Sequence, residues 1–219
     1  MNLPTRLAVF DVDGTIIDSQ HNIVASMVEA CERHNVVAPS PAEIRQIIGL
    51  SLLEAVERLL PETDPHLVRL VAESYKESFA RLRLRPDHHE PMFPGAVAAF
   101  DQLAKDGWLL AVATGKSKRG LLAMIERHEL HGRFISLQTA DDNPGKPHPA
   151  MLHRAIAEAG VLANETVMIG DTSYDMQMGV DAGARSIGVG WGYHAAQTLI
   201  EAGAERVVAS FPELLTHLA

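Results

Sequence analysis

The run Leu7-Ala8-Val9-Phe10 is unbroken in its apolar character and stops at a carboxylate, Asp11. Such a run predicts a strand over residues 7–11, buried on both faces. The residues that follow have another rhythm. Apolar positions recur every three or four residues over 23–34, 42–48, 52–60 and 66–84, which predicts four helices with no strand among them. The polar stretch Asp87-His88-His89-Glu90-Pro91 breaks the pattern, and Phe93-Pro94-Gly95 opens a helix that runs to residue 105. From there short apolar runs alternate with helical ones: strands at 109–114, 134–139, 167–170, 185–189 and 207–209, helices at 118–128, 149–159, 173–182 and 195–201. This alternation predicts an α/β protein built on a doubly wound parallel sheet. The helical block, residues 16–88, then reads as an insertion that splits a core of residues 1–15 and 89–219.

The strand ends carry the chemistry. Asp11-Val12-Asp13-Gly14-Thr15 sets two carboxylates two residues apart where the first strand stops, and a buried strand has no structural use for acids. Gly14 permits a tight turn close to a ligand, and Thr15 can hydrogen-bond that turn. Three later segments share the grammar of a run that ends at a polar residue beside glycine or proline. They are Ala113-Thr114-Gly115, Asn143-Pro144-Gly145-Lys146-Pro147 and Ile169-Gly170-Asp171, the last continuing to Asp175. In an open parallel sheet such residues converge beyond the carboxyl ends of the strands. Asp171 and Asp175 also suit the start of a helix as capping acids, and either can do both jobs.

These motifs, in this order, resemble the haloacid dehalogenase-like hydrolase superfamily, its phosphatase branch, and within it the phosphoglycolate phosphatase-like group. The resemblance runs from about residue 7 to the end, including the tail from Ala202-Gly203-Ala204 to Ser210-Phe211-Pro212-Glu213-Leu214. It implies a Rossmann-like core with a helical cap. It also implies a phosphoric monoester hydrolase that uses Mg²⁺, acts on a small phosphorylated metabolite of phosphoglycolate or sugar-phosphate type, and passes through an aspartyl-phosphate. By resemblance Asp11 is the nucleophile and Asp13 the general acid and base. The metal residues are Asp11, Asp13 through its backbone carbonyl, Asp171, and Asp175 acting through water or by orienting its neighbours. Thr114 and the Gly115 amide bind the phosphoryl oxygens, and Lys146 balances charge on nucleophile and phosphate. Lys116 and Lys118 compete for that last role, but the Pro144-Gly145-Lys146-Pro147 loop fits the pattern better. Arg45, Gly49 and Leu50 fall where related caps present selectivity residues. A phosphosugar mutase and a pyrophosphatase remain as alternatives within the superfamily, and a non-enzymatic phospho-receiver module as one outside it.

Composition narrows the partners. A chain of 219 residues with 47% hydrophobic content can bury a core for one α/β domain with an insertion. A formal charge of −9 without a Lys/Arg cluster argues against nucleic acid or an anionic membrane as partner. The single cysteine, Cys31, sits in a helical apolar pattern as a structural thiol. The first six residues lack the regions of a signal peptide and no apolar run approaches a membrane span, so a cytoplasmic monomer or homodimer is expected. Gly188-Val189-Gly190-Trp191-Gly192 lacks the full dinucleotide fingerprint and reads as a plain turn, and His88 and His89 as exposed linker.

Overall fold

The computed structural model describes residues 5–86 and 88–219. The expectations that touch residues 1–4 and Asp87, namely the leader reading, the start of the core and one position of the polar break, lie outside the described residues. Strand β1 (Arg6–Phe10) is followed by helices α1 (Gln20–Arg33), α2 (Pro41–Gln46), α3 (Leu52–Leu59) and α4 (Pro65–Arg83). Local chemistry starts these helices where the sequence demands. Ser40 and Glu43 form a reciprocal capping box with Pro41 in the first turn of α2, and the Asp64 carboxylate accepts from the His66 and Leu67 amides at the head of α4. Their apolar stripes meet in a core of their own around Met27, Ile44, Val56 and Val71, which also buries Cys31 and pushes its thiol pKa up.

The alternating part runs α5 (Ala96–Lys105), β2 (Trp108–Thr114), α6 (Lys118–Arg127), β3 (Ser136–Thr139), α7 (Ala150–Ala159), β4 (Thr166–Gly170), α8 (Ser173–Asp181), β5 (Arg185–Val189), α9 (Ala196–Glu201), β6 (Arg206–Val208) and α10 (Phe211–Leu218). Helix α10 was not anticipated by periodicity. Its start signal is nonetheless present: the Ser210 hydroxyl accepts from the Glu213 amide, with Pro212 in the first turn.

All strand pairs are parallel and the sheet order is β3-β2-β1-β4-β5-β6. The chain therefore builds outward from β1 in one direction and from β4 in the other, so the order reverses between β1 and β4. Ligands in open sheets bind at that crevice. The register puts Phe10 level with Val112 on one side and Ile169 on the other, so Asp11, Thr114 and Asp171 leave the sheet at the same edge. Alternate residues serve opposite faces: Ala8 and Phe10 pack with α5, α6 and α10, whereas Leu7 and Val9 pack with α7 and α8. Among the described residues no helix is long and apolar enough to cross a membrane.

Phe100 on α5 is fully buried and meets Phe10, Phe134 and Phe211 edge-on at 5.1, 5.5 and 6.4 Å between ring centres. Replacing it with alanine removes the hub of that face, and Phe100→Ala should cost about 3–5 kcal/mol in urea unfolding. A loss below about 1 kcal/mol would contradict the packing described.

Candidate active site

Four segments bring their polar ends together beyond the sheet. The Asp11 amide donates to the Ile169 carbonyl at 2.9 Å, which carries the β1 edge one residue past its strand and buries the carboxylate. Gly14 has φ of +88°, and a Cβ there would run into the Asp171 carboxylate. Only glycine lets the turn close on the neighbouring strand end. The Thr15 hydroxyl then donates to Asp171 Oδ1 at 3.0 Å.

Lys146 occupies the centre. Its side chain is fully buried, with Nζ 2.7 Å from Asp11 Oδ1 and 2.6 Å from Asp175 Oδ1. Burial pulls its pKa down, but Asp11 and Asp175 outweigh that and push it up, so the ammonium stays charged. Asp175 has two duties, one per oxygen. Its Oδ2 accepts from the Thr172 amide at 3.0 Å and from the Thr172 hydroxyl at 2.7 Å as the capping box of α8, while Oδ1 orients Lys146. The capping and site readings of this acid hold together.

One lysine does not balance the acids around it. Burial, helped by Asp175 and Asp13 and opposed by Lys146, raises the Asp11 pKa from 3.8 to about 7. Burial, Asp11 and Asp175 likewise hold Asp171 well above the carboxylate range. Asp11 Oδ2 is buried with no hydrogen-bond partner, and Oδ1 meets Lys146 as an ion pair only. One oxygen from each of Asp11, Asp171 and Asp175 lies within 4.8 Å of the others, all buried. An all-oxygen donor set with an orphaned carboxylate oxygen and surplus negative charge fits a hard divalent cation.

Asp13 stands apart from this cluster. Its Oδ1 accepts from the Ser19 hydroxyl at 2.6 Å and from Lys116 Nζ at 2.7 Å, and Oδ2 accepts no hydrogen bond among the described residues. Lys116 is thus a site residue, but for Asp13, whereas Lys118 reaches the Leu137 carbonyl at 2.8 Å and leaves the site. Neither Lys116 nor Ser19 was singled out for this part by its sequence pattern. The available signal was proximity alone, since Lys116 lies two residues after Thr114 and Ser19 six after Asp13. Thr114 is buried, and its hydroxyl oxygen accepts from the Lys116 amide at 3.1 Å, which leaves its proton for another acceptor.

A cavity of about 580 Å³ opens on Asp11, Asp13 and Thr114. Its far wall comes from the helical block, including Gly49, Leu50, Tyr75 and Phe79. A Cβ on Gly115 would lie 2.5 Å from the Gly49 and Leu50 carbonyl oxygens, so only glycine lets the α2–α3 turn approach the phosphate-binding candidates. Arg45 is not brought to this cavity. Ile44 is the fully buried residue of α2, and the next position turns about 100° away from it.

A further reading of the sequence needs correction. The His88 imidazole is buried, not exposed, and pairs with the buried Glu90 carboxylate at 3.0 Å, because a carboxylate withdrawn from water takes a donor with it. Gly188 and Val189 end β5 and Gly190 to Gly192 form the expected turn, which folds back on the acids: the Trp191 indole donates to the Thr15 carbonyl at 3.1 Å, and the amide of Tyr193, just after the turn, donates to Asp171 Oδ2 at 2.9 Å.

Comparison with known proteins identifies the family. The profile of the haloacid dehalogenase-like hydrolases matches residues 8–189. The chain belongs to that family. Haloacid dehalogenase-like relatives include a probable phosphatase, IndB, from Dickeya dadantii, 34% identical over 95% of this chain and 91% of that protein. A phosphoglycolate phosphatase from Vibrio parahaemolyticus is 24% identical over 98% and 96%. A solved hydrolase from Pseudomonas syringae superposes with a TM-score of 0.87 at 28% identity, over 99% of this chain and 98% of its own. This haloacid dehalogenase-like protein is a hydrolase of the phosphatase type, a phosphoric monoester hydrolase.

The charge shortfall predicts a pH dependence. With no divalent cation bound, native Asp11 holds its proton up to about pH 7, whereas the unfolded chain releases it near 3.8. The stabilising contribution is therefore full below about pH 4 and lost as pH rises through about 7. The difference in urea stability between wild type and Asp11→Asn in EDTA should shrink across that window, and Mg²⁺ should restore it. A difference independent of both pH and Mg²⁺ would contradict the account.

Proposed function

We propose that this hydrolase cleaves a phosphomonoester through an aspartyl-phosphate formed on Asp11, with Mg²⁺ held by Asp11, Asp171 and the Asp13 backbone carbonyl and with Asp175 behind them. The observation that carries this reading is the Asp11 carboxylate. It is buried at the end of the central strand, faces the cavity, and has one oxygen against Lys146 and the other unpaired. Bound Mg²⁺ would supply the missing positive charge that keeps the nucleophile ionised and lets a phosphate dianion approach it.

Asp11 attacks phosphorus and the bond to the leaving oxygen breaks. The Asp13 Oδ2 gives a proton to that oxygen, since Ser19 and Lys116 both hold Oδ1, and later takes one from the water that frees Asp11. The Thr114 hydroxyl and Gly115 amide orient the phosphoryl oxygens, and Lys146 offsets charge on the nucleophile and the transferred group. Helices α1–α4, within residues 16–88, act as a cap that excludes water, and Gly49 and Leu50 meet the leaving group. The name of the phosphoglycolate phosphatase relative supports a small phosphorylated metabolite as substrate.

Asp11→Asn should lower kcat on p-nitrophenyl phosphate on the order of 10³-fold or more with its circular dichroism spectrum unchanged. Asp13→Asn should lose about 10²–10⁴-fold and accumulate phosphoenzyme in rapid-quench experiments. Turnover by Asp11→Asn near the wild-type rate, or wild-type activity indifferent to EDTA, would remove the mechanism.

A further inference from the structure

The cavity continues well past the acids. Tyr75, Phe79 and Arg83 recur every fourth residue along α4, so they share one face, and all three line the cavity. Lys116 Nζ, which holds Asp13, lies 5.2 Å from the Phe79 ring centre, and the Arg83 guanidinium carbon lies 5.7 Å from the same centre. Tyr75 and Phe79 stand 5.8 Å apart with their planes tilted by 36°, forming an aromatic wall.

Arg83 has Nη1 buried without a hydrogen-bond partner among the described residues. Arg119, in the first turn of α6, lines the same cavity, and burial together with its charge depresses the Arg83 pKa. Glu90 acts on Arg83 in the opposite sense, with Oε2 bonded to His88 at 3.0 Å and Oε1 buried without a hydrogen-bond partner among the described residues. Two guanidiniums at one largely apolar cavity, with no ion pair between either and a carboxylate among the described residues, are arranged for an incoming oxyanion.

Distance decides what kind of molecule fits. Arg83 lies one helical turn, about 6 Å of rise, beyond Phe79, so a leaving group that runs from the acid–base end to its guanidinium lies along that ring. A two-carbon phosphoacid spans only about 4 Å from phosphorus to carboxyl carbon. We propose that the substrate is a phosphomonoester whose leaving group has a flat, largely apolar body lying on Tyr75 and Phe79 and a second oxyanion, carboxylate or phosphate, bound by Arg83 and Arg119. This rests on the phosphatase reading of Asp11.

The test compares kcat/KM for phenyl phosphate, 4-carboxyphenyl phosphate, 1,4-phenylene bisphosphate and 2-phosphoglycolate. In the wild type at least one distal anion should raise kcat/KM over phenyl phosphate about tenfold or more, and the larger gain identifies carboxylate or phosphate as the recognised group. Both aryl dianions should exceed 2-phosphoglycolate. Arg83→Gln and Arg119→Gln should each pull the ratio of dianionic to plain aryl ester towards one. Arg119 is exposed, so its variant keeps the test alive if Arg83→Gln does not fold. A wild-type ratio near one, a ratio unmoved in a folded Arg119→Gln, or a preference for 2-phosphoglycolate would overturn the proposal while leaving the Asp11 mechanism in place. Failure of folded wild type to cleave any of the four esters with Mg²⁺ would overturn both.

Discussion

The ion pairs of Lys146 are the constraint on which the rest of the site depends. An ammonium with no solvent contact, 2.7 Å from Asp11 and 2.6 Å from Asp175, can stay charged only because those carboxylates surround it. The converse holds as well. Asp11, Asp171 and Asp175 are buried around one lysine, and burial, reinforced by the neighbouring carboxylates, drives Asp11 and Asp171 towards protonation. A carboxylate in that state is a poor nucleophile. The buried all-oxygen cluster, with its surplus negative charge and an orphaned Asp11 oxygen, fits a divalent cation.

The fold supplies this juxtaposition through its topology. Because the chain winds outward from β1 and from β4 in opposite directions, the strand ends carrying Asp11, Thr114 and Asp171 become neighbours although the helical block intervenes in sequence. Backbone proximity then does what side chains alone could not. Gly14 draws its turn onto Asp171, and Gly115 admits the α2–α3 turn so that the helical block closes one side of the cavity. The same helical block contributes Tyr75 and Phe79 of α4 to the wall of the cavity.

Much of this was legible in the chain because each core element carries a local signal. The strands are continuous apolar runs with polar residues at their ends, and the helices begin at Ser, Thr or Asp caps, as at Ser40, Asp64 and Thr172. Asp11, Asp13, Thr114 and Asp171 are marked by polarity at the ends of apolar runs, Asp175 by its place one helical turn after Asp171, and Lys146 by its Pro-Gly-Lys-Pro loop. What could not be read were pairings between distant polar residues. Nothing local distinguishes Lys116, which turns inward to Asp13, from Lys118, which does not. The polarity of the segment around His88 suggested solvent, but His88 Nε2 pairs with Glu90 Oε2 out of water. Arg45 and Arg83 are both helical arginines, and which of them meets the cavity depends on how α2 and α4 are rotated against the core.

The most direct measurement is the position of the phosphoryl group during turnover. Enzyme mixed with Mg²⁺ and p-nitrophenyl phosphate, quenched in acid within the first turnover and digested, should yield a peptide spanning Asp11 that is heavier by one phosphoryl group, with fragmentation assigning it to Asp11. A phosphoryl group on any other residue, or its absence from quenched enzyme that is turning over substrate, would contradict the account.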